Sequence, residues 1–134
     1  MKLVSFVIPC YRSAGTVAAV VDEINRSMAA LPEFEHEIVL VNDCSPDNTF
    51  EVIRGLALSD KRITAVDLAK NFGQHGAIMA GFSHIRGDYV ICLDDDGQTP
   101  ADEAGKLLAK LEEGYDVAYA SYGHHKQHSF FRNL

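Results

Sequence analysis

Residues Leu3–Leu31 read LVSFVIPCYRSAGTVAAVVDEINRSMAAL, and the change of period inside this stretch decides the fold. From Leu3 to Ile8 the chain is apolar almost without interruption, which suits a strand buried on both faces rather than one alternating between core and water. Val17, Val20, Val21, Ile24, Met28 and Leu31 then fall at i, i+3, i+4, i+7, i+11 and i+14, a single apolar stripe of a helix that Pro32 ends. The Leu3–Tyr11 run does not read as a secretion signal. Only Lys2 precedes it, Pro9 interrupts it, and no small-residue cleavage pattern follows.

The strand-then-helix unit repeats outward from there. Runs rich in β-branched residues recur at 37–42, 62–68, 88–93 and 116–121, with helical spacing between them. The second helix is expected over 48–58 with Phe50, Ile53 and Leu56 or Ala57 inward, and the third over about 75–85 with Ile78, Phe82 and Ile85 inward. The fourth carries its own start signal: Thr99 as N-cap, Pro100 at the first helical position and Asp102 at the third. Leu107, Leu108 and Leu111 form its buried stripe and Gly114 its stop. Apolar strands alternating with helices make a doubly wound, mostly parallel α/β sheet. One domain is expected over residues 1–123, followed by a basic tail over 124–134 where the periodicity fades.

Composition narrows the function. The 134 residues are 47% hydrophobic, enough for a real core, and no apolar stretch reaches the roughly 18 residues that span a bilayer. The net charge of −7 argues against nucleic acid as a partner, because phosphate backbones demand a surplus of Lys and Arg. Cys10, Cys44 and Cys92 are an odd number without metal-ligand spacing and read as reduced thiols in a cytoplasmic setting. The acid is concentrated: Asp88, Asp94, Asp95, Asp96, Asp102, Glu103, Glu112, Glu113 and Asp116 face only Lys106 and Lys110 between Gly87 and Gly123.

In such a sheet ligands bind beyond the carboxyl ends of the strands, where strand order reverses. With three strands stepping outward and the fourth returning beside the first, the loops after Ile8 and Leu93 flank one crevice. Neither G-x-G-x-x-G nor G-x-x-x-x-G-K-[ST] occurs, so the dinucleotide fingerprint and the P-loop are both absent. After the first strand, Pro9 and Tyr11 can either sandwich a planar ring or form an ordinary turn. After the second, Asp43 can accept a hydrogen bond from an imide N–H or simply shape a turn, while Asp47 or Asn48 caps the next helix. After the third, Lys70 with Gly73 and Gly76 can approach a phosphate, although a loop needing positive φ explains the glycines equally well. After the fourth come Asp94, Asp95 and Asp96, three adjacent carboxylates that repel one another unless a cation sits among them. Mg²⁺ or Mn²⁺ fits, since a hard cation takes one or two carboxylates and completes its shell with water and phosphate oxygens. In extended backbone Asp94 and Asp96 point the same way and Asp95 the other.

The ordered set Val7-Ile8-Pro9-Cys10-Tyr11, Val41 through Thr49, Lys70-Asn71-Phe72-Gly73-Gln74 and Leu93 through Gln98 resembles the GT-A fold, family 2 glycosyltransferases, and within them the polyprenyl-phosphate sugar transferases. The resemblance implies a nucleotide-sugar-binding α/β domain. Pro9 and Tyr11 would line the base pocket, Asp43 would hold the base imide of a UDP- or GDP-sugar, and Lys70 would lie near the diphosphate. Asp94 and Asp96 match the D-x-D carboxylates that bind the metal and the donor, with Asp95 beside them and Gln98 matching a glutamine next to the metal. Where the family usually has Asn-Glu, this chain has Arg12-Ser13. Family members continue with a second half that shapes the acceptor site, and the polyprenyl-phosphate branch adds membrane helices. The implied reaction is metal-dependent and inverting, with a polyprenyl phosphate as acceptor and the parent enzyme at the cytoplasmic face of a membrane.

Two other readings within reach are a saccharide hydroxyl acceptor and a non-catalytic nucleotide-binding module. A phosphoacceptor domain of response-regulator type is disfavoured, because it wants acids at the ends of the first and third strands, where Pro9 and Lys70 stand.

Overall fold

The computed structural model describes residues 1–94, 103–121 and 127–131, with the backbone alone described at 119–121 and 127–131. The elements run β1 (Lys2–Cys10), α1 (Val17–Ala29), β2 (Phe34–Asn42), α2 (Thr49–Ser59), β3 (Ile63–Asp67), α3 (Gly73–Phe82), β4 (Tyr89–Leu93), α4 (Glu103–Leu111), β5 (Val117–Ser121) and β6 (Gln127–Phe131). The sheet order is β3-β2-β1-β4-β5-β6. The first five strands are parallel, and the order reverses between β1 and β4 as expected.

β1 sits at the centre because its sequence leaves it nowhere else to go. Val4 through Cys10 are buried without a break, and both neighbours are parallel strands in register with it. Val4, Phe6, Ile8 and Cys10 join the larger core with Val20, Ile24, Ile53, Leu107 and Leu111, so α1, α2 and α4 cover one face. Val7 turns the other way and meets Ile78, while Val39 and Val41 meet Ala77, so α3 covers the opposite face. The winding is double, but of the described helices three share one side and one serves the other.

Element boundaries shift where side chains overrule periodicity. Helix α1 stops at Ala29, and Leu31 completes its stripe from the following turn, still packed on the core. Helix α3 starts earlier and ends earlier than its apolar spacing suggests, with Ile85 packing from beyond its end. The start signal at Thr99, Pro100 and Asp102 lies outside the described residues. One element is new: β6 lies within the stretch read as a basic tail and pairs antiparallel with β5, Ser121 opposite Gln127 and Val117 opposite Phe131. A five-residue edge strand reading QHSFF has too little apolar alternation to announce itself.

Candidate active site

At the carboxyl ends of the strands the described residues form a crevice of about 380 Å³, lined by Pro9, Cys10, Tyr11, Asp43, Asn71, Gly73, Gln74 and Asp94. Each of the four expected loops contributes, the fourth through Asp94.

The loop after β1 is held by its neighbours. Tyr11 N–H donates to Ser13 Oγ at 2.9 Å, Arg12 N–H to Ser45 Oγ at 2.8 Å, and Ser13 N–H to Thr49 Oγ1 at 2.9 Å. Ser13 O in turn accepts the N–H groups of Thr16 and Val17, which starts α1. Arg12 takes a left-handed backbone conformation, φ 54°, and its guanidinium lies 5.6 Å from the Tyr11 ring centroid. Ser13 is 1% exposed. The Arg12-Ser13 pair is therefore part of the joint between the first and second loops, with Ser13 outside the crevice lining.

Asp43 follows the last residue of β2 and is 4% exposed. Its N–H donates to Cys10 O at 2.9 Å, which carries the β1–β2 pairing one step past the strands. Its Oδ1 accepts the Phe72 N–H at 2.8 Å, and its carbonyl accepts from Asn71 Nδ2 at 3.1 Å. No described residue donates to Oδ2, and the side chain lines the crevice. Four residues on, Asp47 acts on the fold. Its Oδ1 accepts the hydroxyls of Ser45 and Thr49 and the Thr49 N–H, which holds its carboxyl below the usual range and steadies the start of α2.

In the loop after β3, Gly73 has φ 79°, a conformation that favours glycine. Its N–H donates to Asn71 Oδ1 at 3.0 Å, so this amide shapes the turn. Lys70 is not among the lining residues, and its ammonium lies 5.0 Å from the Phe72 ring centroid. Asn71 and Gln74 do line the crevice and were not singled out in the sequence, where Lys70 and the glycines drew the weight. The Asn-x-Gly spacing was the available signal, since a short amide readily accepts from the N–H two residues on.

Asp94 follows Leu93, the buried last residue of β4, and its Oδ1 accepts from Gln74 Nε2 at 2.7 Å. Asp95, Asp96 and Gln98 lie outside the described residues. Among the described residues no group of three or more His, Cys, Asp or Glu side chains converges. The donor chemistry still suits a hard divalent cation, since Asp94 offers carboxylate oxygen at the crevice and such ions commonly take only one or two carboxylates from protein. No disulfide joins Cys10, Cys44 or Cys92, and burial pushes the Cys92 thiol up to about 12, so it is inert as a nucleophile. No helix of the described residues is long and apolar enough to cross a membrane.

Comparison with known proteins agrees with this fold. The undecaprenyl-phosphate 4-deoxy-4-formamido-L-arabinose transferases of Shewanella sediminis and Yersinia pestis are each 41% identical to this chain over 98% of its length. The chain spans 40% of the length of either relative. Among solved structures, TarS residues 1–349 of S. aureus in complex with UDP superimposes with a TM-score of 0.66, at 22% identity over 84% of this chain and 32% of that one. Mannosyltransferase PcManGT from Pyrobaculum calidifontis, in complex with GDP-Man and Mn²⁺, gives 0.60 at 24% identity over 69% of this chain and 27% of that one. The sequence profile of glycosyl transferase family 2 matches residues 5–134, and the chain belongs to that family.

Proposed function

We propose that this chain is the donor-binding part of a metal-dependent, inverting transferase that moves a sugar from a UDP- or GDP-sugar to a polyprenyl phosphate. One observation carries the reading: Asp43 and Asp94, from strands on either side of β1, line the same crevice with Pro9 and Tyr11. The polyprenyl-phosphate acceptor is supported by the relatives, whose names specify undecaprenyl phosphate.

In this reading Pro9 and Tyr11 flank the base, and Asp43, already held at Oδ1, accepts the imide N–H that a uracil or guanine edge offers. Asp94 and Asp96 hold the cation with Gln98 beside it, and Asp95 adds to the donor contacts. A bound Mg²⁺ or Mn²⁺ supplies charge neutralisation to the departing diphosphate. Lys70 reaches the diphosphate only by leaving Phe72, a move its flexible four-carbon stem allows. The acceptor phosphate is ionised near neutral pH and attacks C1 of the sugar from the face opposite the leaving group, which inverts the anomeric centre. No residue of the chain then has to act as general base, consistent with a crevice whose described carboxylates are both engaged by loop donors.

Calorimetric titration with UDP and with GDP, with and without Mn²⁺, tests the reading. Metal-dependent binding of one nucleotide is expected, and its absence from a folded sample sinks the proposal. Asp96→Ala is expected to abolish the metal-dependent part while leaving the melting temperature unchanged. Global unfolding of that variant would make Asp96 a structural residue.

A further inference from the structure

We infer that Gln74 is a positioning residue that aims the Asp94 carboxylate at the cation and diphosphate, an inference that rests on the donor-binding reading above. Gln74 is the second residue of α3, and its Nε2 donates to Asp94 Oδ1 at 2.7 Å across a separation of 20 residues. Two residues earlier the Phe72 N–H donates to Asp43 Oδ1 at 2.8 Å, and Asn71 Nδ2 holds the Asp43 carbonyl at 3.1 Å. A single short loop therefore grips both crevice carboxylates, each at its Oδ1. The spacing between the base-side acid and the diphosphate-side acid is set by one piece of backbone, which Gly73 bends and the Asn71 amide fixes.

The backbone of Asp94 is fixed by the buried end of β4, but its side chain keeps two rotatable bonds. An amide donor on Oδ1 selects one rotamer and turns the carboxylate's other edge to a defined direction. A neutral donor suits this task better than a cation would. Lysine at this position would pair with the carboxylate and compete with a divalent ion, whereas glutamine orients the group and leaves its full charge in place. Gln74 thus acts through Asp94, and its loss should be felt where Asp94 acts and nowhere else.

The test is the affinity of the protein for UDP and GDP measured with and without Mn²⁺, together with Mn²⁺ affinity in the presence of nucleotide read by electron paramagnetic resonance. Gln74→Met, which fills similar space without a donor, should weaken the Mn²⁺-dependent nucleotide affinity and the Mn²⁺ affinity about tenfold, the scale of one hydrogen bond to a charged group. Metal-free nucleotide affinity should stay within about twofold and the melting temperature should not move. Gln74→Ala removes the same donor by truncation and should give the same split. Unchanged Mn²⁺-dependent affinity in both variants, or an equal loss with and without metal, overturns the role. If the unsubstituted protein binds neither nucleotide with Mn²⁺, it is the donor-binding reading that has failed, and the role falls with it.

Discussion

Strand β2 holds two buried acids in two different conditions. Glu37, near its beginning, and Asp43, just past its end, are each 4% exposed. Glu37 is met on both oxygens: Oε2 accepts Ser5 Oγ–H at 2.6 Å and Arg86 N–H at 2.6 Å, and Arg86 Nε lies 3.4 Å from Oε1. The ring of contacts closes through Gly87 N–H, which donates to Ser5 Oγ at 2.8 Å. Asp43 is held at Oδ1 and lines a crevice. Burying a carboxylate is costly unless its lone pairs are matched. Where the chain supplies the matches itself the acid belongs to the fold; where one side is turned to a cavity, the proposed reading gives the remaining match to a ligand. The amino end of the sheet is finished by its own residues, and the carboxyl end is built to be completed.

The largest effect should come from breaking the finished end. Glu37→Ala strips Ser5 Oγ, Arg86 N–H and the Arg86 guanidinium of their shared partner, and removing one side of a buried polar cluster costs about 3 kcal/mol. Urea denaturation should show that loss, and a change below about 1 kcal/mol would mean the cluster contributes little. Gly87→Ala attacks the same place from the backbone. A Cβ there would stand 2.3 Å from Ser5 Oγ, 2.8 Å from Ser5 N and 2.9 Å from Leu3 O, two of which are main-chain atoms that cannot step aside cheaply. A loss of about 2 kcal/mol is expected, within the usual range for overpacking.

At the other end the same conservative logic should give the opposite split. In Asp43→Asn the amide oxygen can still accept the Phe72 N–H, which points the amide NH₂ toward the crevice. Stability should change by less than about 1 kcal/mol, while nucleotide affinity falls at least about tenfold because a donor now faces the imide N–H. If both properties fall together, Asp43 belongs with Glu37 and the contrast between the two ends dissolves.

This contrast also explains what could be read from the residues alone. The strands, their order and the crevice follow from apolar runs and the reversal between β1 and β4, because burial on both faces leaves a strong compositional mark. Asp43 and Asp94 were legible as acids at strand ends. Gln74 is not, since its importance lies in reach across the sheet top and no local pattern encodes a contact 20 residues away, and Asn71 shows only through its Asn-x-Gly spacing. In sequence Ser13 is a departure from the family pattern near the nucleotide, whereas the structure ties it to Thr49 and to the start of α1. Strand β6 was missed because an edge strand needs only half a pattern. Periodicity detects what is buried twice and says little about what is buried once.

The smallest effect sharpens the comparison through pH. His36 lies on β2 beside Glu37 and belongs to the finished half: its Nε2 is 2.8 Å from Asn25 Oδ1 and 3.4 Å from Arg62 Nη1, and its ring meets Phe6 edge-on. Burial, then the Arg62 charge, lowers its pKa from 6.5, with Asp60 opposing. The unfolded chain therefore takes up this proton first as pH falls, so the stability that neutral His36 carries is intact above about 6.5 and drains away below it. The carboxyls of Asp47 and Asp60, both held below 3.8, release their contributions only in much stronger acid, so the two windows do not overlap. Unfolding free energy measured at pH 7.5 and 5.5 should drop by up to about 1 kcal/mol in the native sequence and by less in His36→Gln, which keeps an amide donor toward Asn25. Nucleotide affinity over the same range should not follow His36, because the residue sits at the closed end of the strand. An equal pH slope in His36→Gln would remove the histidine from the account, and a nucleotide affinity that tracked it would show that the two ends of β2 are coupled after all.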